Sequence, residues 1–457
     1  MTASHSDGSA NLMQELYFEL LKDLDLMGPL NEVPFQIQQR RGGFTPAMRC
    51  LSLLASQAQQ CCRLTDWTLA QRLDSRLQHW LGGRPAPHPS TLSRTLAATD
   101  EQTVRVLRQK VLVPLTDQSL LYAKRQGRWI FVDIDNKGLP AEGDSYEGTT
   151  VGRMGDGGHK RGYRLHMISL ENRWPLEMEL TGANAHAAPS AMVMVKRLMH
   201  RIHGSRRDRL VFRGDSSHGS VQFIKFIQRY EVGYLLKSYN SCTAQKLWQE
   251  HPGDSRSRIV REGKVDLLAI DLGPTELTGM TRRKQRDGNE RRRRCRVTVG
   301  RAVVYREDPE QLPVGKTPGC FALLTMLPAE DFDPAALLEA AYLPRGGAIE
   351  NIFCQLDQAF EITHLRSRRF YGNWTFLMLA LIAGTLTQMI REEAIVREEP
   401  IPAGLHGILT AAADSGLRFN QEPTAGCILI ETITGAYTKT FKKLIRCSRQ
   451  HRFKFAA

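Results

Sequence analysis

The spacing of apolar residues divides this chain into a helical opening, a strand-rich middle and a helical return. From Thr45 to about Thr99 the period is helical. Met48, Leu51, Leu54 and Ala55 share one face, and Leu69, Leu73, Leu77 and Leu81 form an i, i+4 stripe after a turn at Thr65-Asp66. Gly82-Gly83-Arg84-Pro85 stops that helix, and Pro89-Ser90-Thr91-Leu92-Ser93-Arg94 reads as the capped start of another. A short helix opening with Ser, Thr, Ser and Arg is of the kind that enters a major groove, whereas the plainer reading is a helical bundle packed on the next domain. Residues 104–125 predict one more helix, ending near Gly127. Residues 1–40 are weakly patterned and are expected to form a mobile arm.

The period then changes to two. In Arg128 to Gly138, Ile130, Val132 and Ile134 fall on one face of a strand and Phe131, Asp133 and Asp135 on the other. Tyr163–Leu170 and Trp174–Thr181 predict a hairpin turning at Glu171-Asn172-Arg173. A helix over Pro189–Ile202 follows, then a short apolar strand, Arg209–Asp215, then an amphipathic helix with Phe223, Phe226 and Ile227. Val232–Lys237 is a further strand. This order allows a mixed sheet in which the first and fourth strands are parallel neighbours. Asp135 and Asp215 would then meet at their ends.

From about Tyr239 to Leu327 strand-like pieces alternate with polar, basic loops, as expected of a β-rich insertion with a basic hairpin tip. Helical spacing returns from Pro328. Trp374 to Ile390 approaches membrane-spanning length. It carries Thr375, Thr385, Thr387 and Gln388, and so reads as a buried core helix with no membrane partner.

Composition narrows the partners. The chain has 457 residues, 42% hydrophobic and 24% charged, giving room for two to four ordinary globular domains. Its net charge is +14, with a pI near 9.5. Thr281–Arg296 and Lys439–Lys454 each carry a net +7, so these two runs account for the whole excess. Concentrated positive charge favours a polyanion, nucleic acid before membrane, although a solvated basic face remains the plain alternative for either run. Nine scattered cysteines with no CxxC pair argue against a zinc ribbon or a disulfide framework and fit a reducing cytosol. The polar, acid-bearing N-terminus shows no signal peptide.

A carboxylate ending an apolar strand is costly unless it is paired, hydrogen-bonded or bound to metal. The plain reading of one such aspartate is a loop cap, but here the pattern recurs. A third acid, Glu350, follows Tyr342 and Arg345 in the returning helical segment. Three carboxylates suit a pair of Mg²⁺ ions, with Mn²⁺ as substitute, and two such ions clamp the attacking and leaving oxygens of an in-line phosphoryl displacement. For the first acid both Asp135 and its neighbour Asp133 are candidates. Arg213 and His218 flank Asp215, and His166 on the second strand reads as a core histidine.

Taken in order, these features resemble the DDE transposases of bacterial insertion sequences. The resemblance lies in the first-acid strand, the Lys160–His166 strand, the Arg213-Gly214-Asp215-Ser216 turn, the Tyr342…Arg345…Glu350-Asn351 helix and Pro89–Arg94. It covers most of residues 45–450. It implies an α/β fold: a ribonuclease-H-like mixed sheet with helices, interrupted by a β-rich insertion and preceded by an all-α N-terminal domain. The corresponding divisions are a DNA-binding domain over 1–125, catalytic parts over 126–238 and 328–400, a basic insertion over 239–327 and a basic helical tail over 401–457.

The resemblance further implies Mg²⁺-dependent strand cleavage and 3′-hydroxyl strand transfer by Asp135, Asp215 and Glu350. Its implied partner is double-stranded DNA, as element ends and as target. The active form would be a homodimer on paired ends, in the bacterial cytoplasm at the nucleoid. Tyr342, Arg345, Arg213, Arg94, Arg292, Arg293, Arg294, Lys442 and Lys443 are the expected phosphate and DNA contacts. Alternatives are a ribonuclease-H-like nuclease without strand transfer and a domesticated DNA-binding protein that no longer cuts. Two positions depart from the family pattern. Four residues rather than three separate Arg345 from Glu350, an excess that Gly346-Gly347 is expected to absorb. Asp357 stands where the family has lysine, with Arg366, Arg368 or Arg369 as expected substitutes.

Overall fold

The computed structural model describes residues 12–37, 42–61, 63–117, 129–155, 158–170, 174–202, 209–251, 256–284, 290–414, 417–421, 428–432, 437, 440–441 and 443–444. The chain opens with helices α1 (Leu12–Asp23), α2 (Met27–Asn31), α3 (Pro46–Ala58), α4 (Leu69–Arg72), α5 (Ser75–Trp80), α6 (Pro89–Ala97) and α7 (Glu101–Leu107). Local chemistry sets their starts. Thr45 accepts from the Met48 amide ahead of Pro46, Asp74 accepts from the Leu77 amide, and Asp100 and Thr103 form a capping box.

Two sequence expectations fail in this region. The expected mobile arm contains α1, whose Leu12, Met13, Leu16, Tyr17, Phe18, Leu20 and Leu21 are all buried. Its burial was hard to foresee because Gln14, Glu15 and Glu19 are buried along with the apolar residues, Glu15 in an ion pair with Arg76. The Leu69–Leu81 stripe is not one helix but two, split at the Asp74 cap. Leu77 and Leu81 are buried, while Leu69 and Leu73 are exposed.

The strand-rich middle builds a ten-stranded mixed sheet. Its strands are β1 (Ile130–Pro140), β2 (Thr150–Arg153), β3 (His159–Leu170), β4 (Trp174–Gly182), β5 (Leu210–Gly214), β6 (Gly233–Lys237), β7 (Ser257–Ile259), β8 (Leu267–Asp271), β11 (Arg301–Glu307) and β12 (Cys320–Thr325), with the separate ribbon β9 (Thr275–Lys284) and β10 (Glu290–Val299) between them. The order is β2-β3-β1-β5-β6-β12-β11-β8-β7, and β4 also pairs with β3. As expected, β1 and β5 are parallel neighbours, and β6 lies parallel to β5. The β-rich insertion extends this sheet: β12 pairs antiparallel with β6 and carries β11, β8 and β7 outward. A further two-stranded ribbon, β13 (Leu417–Gln421) and β14 (Ile428–Thr432), lies near the C-terminus.

Helices α8 (Ala187–Arg201), α9 (Val221–Gln228) and α10 (Ser241–Glu250) alternate with the middle strands. A π-helical turn, Leu337–Tyr342, leads directly into α11 (Leu343–Phe360), and then come α12 (Phe370–Val396) and α13 (Leu405–Asp414). α12 is the central helix. It is long and apolar enough to cross a membrane, but it is buried within the protein, packed by α1, α3, α6, α7, α13 and β4. Tyr17 of α1 hydrogen-bonds Thr387 of α12 in the middle of this core.

Candidate active site

The candidate site grows out of the β1–β5 register. Phe131 pairs with Val211 and Asp133 with Arg213; the ladder ends at Ile134 and Gly214. Asp135 and Asp215 follow as the next positions on the same sheet face. This face therefore climbs from an apolar rung, to an ion pair, to two acids one residue past the β1–β5 ladder. β1 itself continues to Pro140, paired with β3, so Asp135 does not end its strand as expected. Only Asp215 stands at the carboxyl edge of its strand. That edge is where open α/β sheets place their ligands.

The middle rung is structural. Arg213 grips both oxygens of Asp133, each at 2.7 Å, and donates through Nη1 to the Ala341 carbonyl at 2.6 Å. Its guanidinium lies 4.4 Å over the Phe131 ring, and the residue is only 3% exposed. Arg213 was expected to contact DNA and Asp133 was a candidate metal ligand. Each is instead consumed by the other beneath the π-helical turn, as a buried charge requires a buried partner.

The upper rung is poised differently. Asp135 is half-buried, with Oδ1 accepting from the Asn136 amide at 2.8 Å and Oδ2 lying 3.4 Å from Arg345 Nη2. Burial pushes its carboxyl above the usual range. Arg345 and His218 work against that rise, while the Asp215 charge adds to it. For Asp215 burial again acts upward, but the His218 and Ser217 hydrogen bonds and the Arg345 charge outweigh it and hold the carboxyl below the usual range. Arg345 also donates to the Ile134 carbonyl at 3.2 Å, and its Nε has no hydrogen-bond partner among the described residues. Burial pushes the Tyr342 phenol up to about 12; Arg345 opposes the rise, and both aspartates reinforce it. Asp135, Asp215, Arg345 and Tyr342 thus form one electrostatic group.

The third acid is reached only through its backbone. Glu350 lies in α11, and its side chain is outside what the structure describes. Gly346-Gly347 do not interrupt the helix, so they do not absorb the extra residue. Five helical residues turn through about 500°, placing Glu350 about 140° round the axis from Arg345. Seven residues return to nearly the same face, so Glu350 shares a face with Asp357. Asp357 pairs with Lys137 at 3.3 Å, and Lys137 lies on the β1 face of Asp135. The cation beside position 357 thus comes from β1. Among the expected substitutes, Arg366 has its side chain buried, 5.0 Å over Phe376, and Arg369 pairs with Glu147 at 3.8 Å. The Lys137 pairing was not legible, because it joins positions 220 residues apart.

Two carboxylates on adjacent strands are hard oxygen donors and suit Mg²⁺, which is commonly held by one or two carboxylates and keeps several waters. Among the described residues there is no cluster of three or more His, Cys, Asp or Glu side chains placed to hold a metal ion. Asp135 and Asp215 are thus a pair of oxygen donors of the kind Mg²⁺ takes, without a third described acid beside them.

The other expected contacts are spread over the surface. Arg94 is exposed on α6, beside exposed Ser90 and Ser93. Arg292 and Arg293 stand on β10 opposite Arg282 and Thr281 of β9, and Arg294 is exposed. Lys443 pairs with Glu399, and Lys442 lies outside the described residues.

One solved structure resembling this chain is the synaptic complex of piggyBac transposase with hairpin DNA. It is 11% identical with a TM-score of 0.43, covering 98% of this chain and 83% of that one. No curated protein matches the chain. A family model described as the transposase DDE domain, group 1, matches residues 64–403, and by that match over most of its length the chain belongs to the DDE transposases.

Proposed function

We propose that the protein is the transposase of a bacterial insertion sequence, cutting DNA at the element's terminal inverted repeats and joining the freed ends elsewhere. The observation that supports this most is the pair of acids, Asp135 and Asp215, each one residue past the parallel β1–β5 ladder in a chain of this family. Asp135, Asp215 and Glu350 hold the divalent cations. Two Mg²⁺ ions bound there supply Lewis acidity for in-line displacement at phosphorus, and Mn²⁺ substitutes.

The remaining roles belong to the chain. Arg345 and Tyr342 bind the phosphate beside the scissile bond. The helical region of residues 1–125, through Arg94, holds the inverted repeat, and the basic β9–β10 ribbon and the tail with Lys442 and Lys443 hold flanking DNA. Water cuts one strand at each end, and the freed 3′-hydroxyl attacks a second phosphodiester. The working form is a homodimer on paired ends, in the cytoplasm at the nucleoid.

The second reading, a DNA-binding protein that no longer cuts, draws on the five-residue Arg345–Glu350 interval within one regular helix. The test is cleavage of a labelled duplex of the repeat flanking the coding region, in Mg²⁺, by wild type, Asp215→Ala and Glu350→Ala. We expect wild type to cut and both variants to bind without cutting. Cutting that survives Glu350→Ala overturns the assignment of the third acid. Specific binding without cutting by wild type establishes the second reading.

A further inference from the structure

Asp215 is held quite differently from Asp135. Its Oδ1 accepts three hydrogen bonds: from the Ser217 amide at 3.0 Å, from Ser217 Oγ at 2.5 Å and from His218 Nδ1 at 2.9 Å. Among the described residues none donates to Oδ2. A carboxylate only accepts, so the proton between these groups sits on His218 Nδ1. His218 itself is fully buried, and among the described residues its Nε2 has no hydrogen-bond partner. Its Nδ1 serves Asp215 Oδ1 and also lies 3.0 Å from Ser217 Oγ, whose own proton goes to the same carboxylate oxygen.

The turn that carries the ring is wedged in place. A Cβ on Gly214 would come 2.9 Å from His218 Cβ, and one on Gly219 would come 1.7 Å from the Lys237 carbonyl oxygen. Two glycines thus let the imidazole lie over the end of β5 and the turn press against β6. Phe223 of α9 packs on the ring with centroids 5.9 Å apart. The ring is fully buried between these contacts.

We propose that His218 is a positioning residue: by fixing Oδ1 of Asp215 through its Nδ1–H, it leaves Oδ2 as the single oxygen this residue offers to a divalent cation. The inference rests on the reading of Asp215 as a metal ligand. One-oxygen coordination suits Mg²⁺, which demands near-octahedral geometry and tolerates a chelating carboxylate poorly. Groups that orient a ligand in this way typically change metal affinity 10- to 100-fold when removed.

The test is Mn²⁺ binding by titration calorimetry on the full-length protein without DNA, with thermal unfolding of each variant as a check of fold. An asparagine places its amide nitrogen where Nδ1 lies, and a glutamine places it nearer Nε2. We expect His218→Ala and His218→Gln to weaken Mn²⁺ binding about 10- to 100-fold, His218→Asn to retain most of the affinity, and Asp215→Ala to abolish binding at that site. Wild-type affinity in a folded His218→Ala overturns the inference and leaves the metal-ligand reading intact. So does a folded His218→Asn as weak as His218→Gln, which also decides the matter if the alanine variant does not fold. Wild-type affinity in Asp215→Ala overturns both.

Discussion

His166 is buried on β3, with Nε2 3.0 Å from Thr181 Oγ1. Burial first, and the neighbouring His218 and Arg164 next, push its pKa down to about 3. In the unfolded chain an imidazole takes up its proton near pH 6.5. Between pH 6.5 and 3 the unfolded chain therefore binds a proton that the native chain refuses. Stability falls as pH falls through that window, by up to about 1.4 kcal/mol per pH unit, and this residue adds no slope above it. Urea midpoints measured from pH 7 to pH 4 should fall less steeply in His166→Gln; equal slopes would show that native His166 accepts the proton. The core role of His166 was legible from its place in an apolar strand. The fates of Asp133 and Asp135 were not. Alternation assigns both to one face, and what separates them is Arg213, brought opposite Asp133 by a strand register that the sequence does not spell out.

At the scale of elements, strands were easier to read than short helices. Apolar strands bounded by Gly, Asn and Asp are local signals, so β1, β3, β4, β5 and β6 stood where the period of two placed them. The helix α1 was hidden because its polar side is buried too, with Glu15 paired to Arg76 of a later helix, a contact that joins residues 61 apart. Its importance is testable. Phe18 is fully buried and packs edge-on against Trp80. Phe18→Ala should cost about 3–5 kcal/mol in denaturant unfolding, whereas a mobile arm would show almost no change. The long helix α12 was legible as a core element because its threonines and glutamine suit a protein interior better than a lipid-facing span. That it would be packed by helices from the opening of the chain was not, since those contacts join segments hundreds of residues apart.

For the whole molecule, the basic excess and the exposed face of α6 bear on the proposed DNA interface. If Arg94 meets phosphate, Arg94→Ala should weaken binding about equally on repeat and unrelated duplexes and reduce the slope of log affinity against log salt by about one. If it meets a base edge, the loss will be confined to the repeat; unchanged affinity on both would remove α6 from the interface. The acid pair carries a different consequence. The backbone spacing of the strands that carry Asp135 and Asp215 is ruled by the hydrogen-bonding pitch between neighbours, about 4.8 Å, whereas the Asp215 carboxyl is aimed by Ser217 and by His218, which Phe223 packs. Softening the interior away from Phe223 should therefore lower the melting temperature without changing the distance between the two strand backbones. The pairing of the two strands and the fold as a whole would then disappear together, along one melting curve.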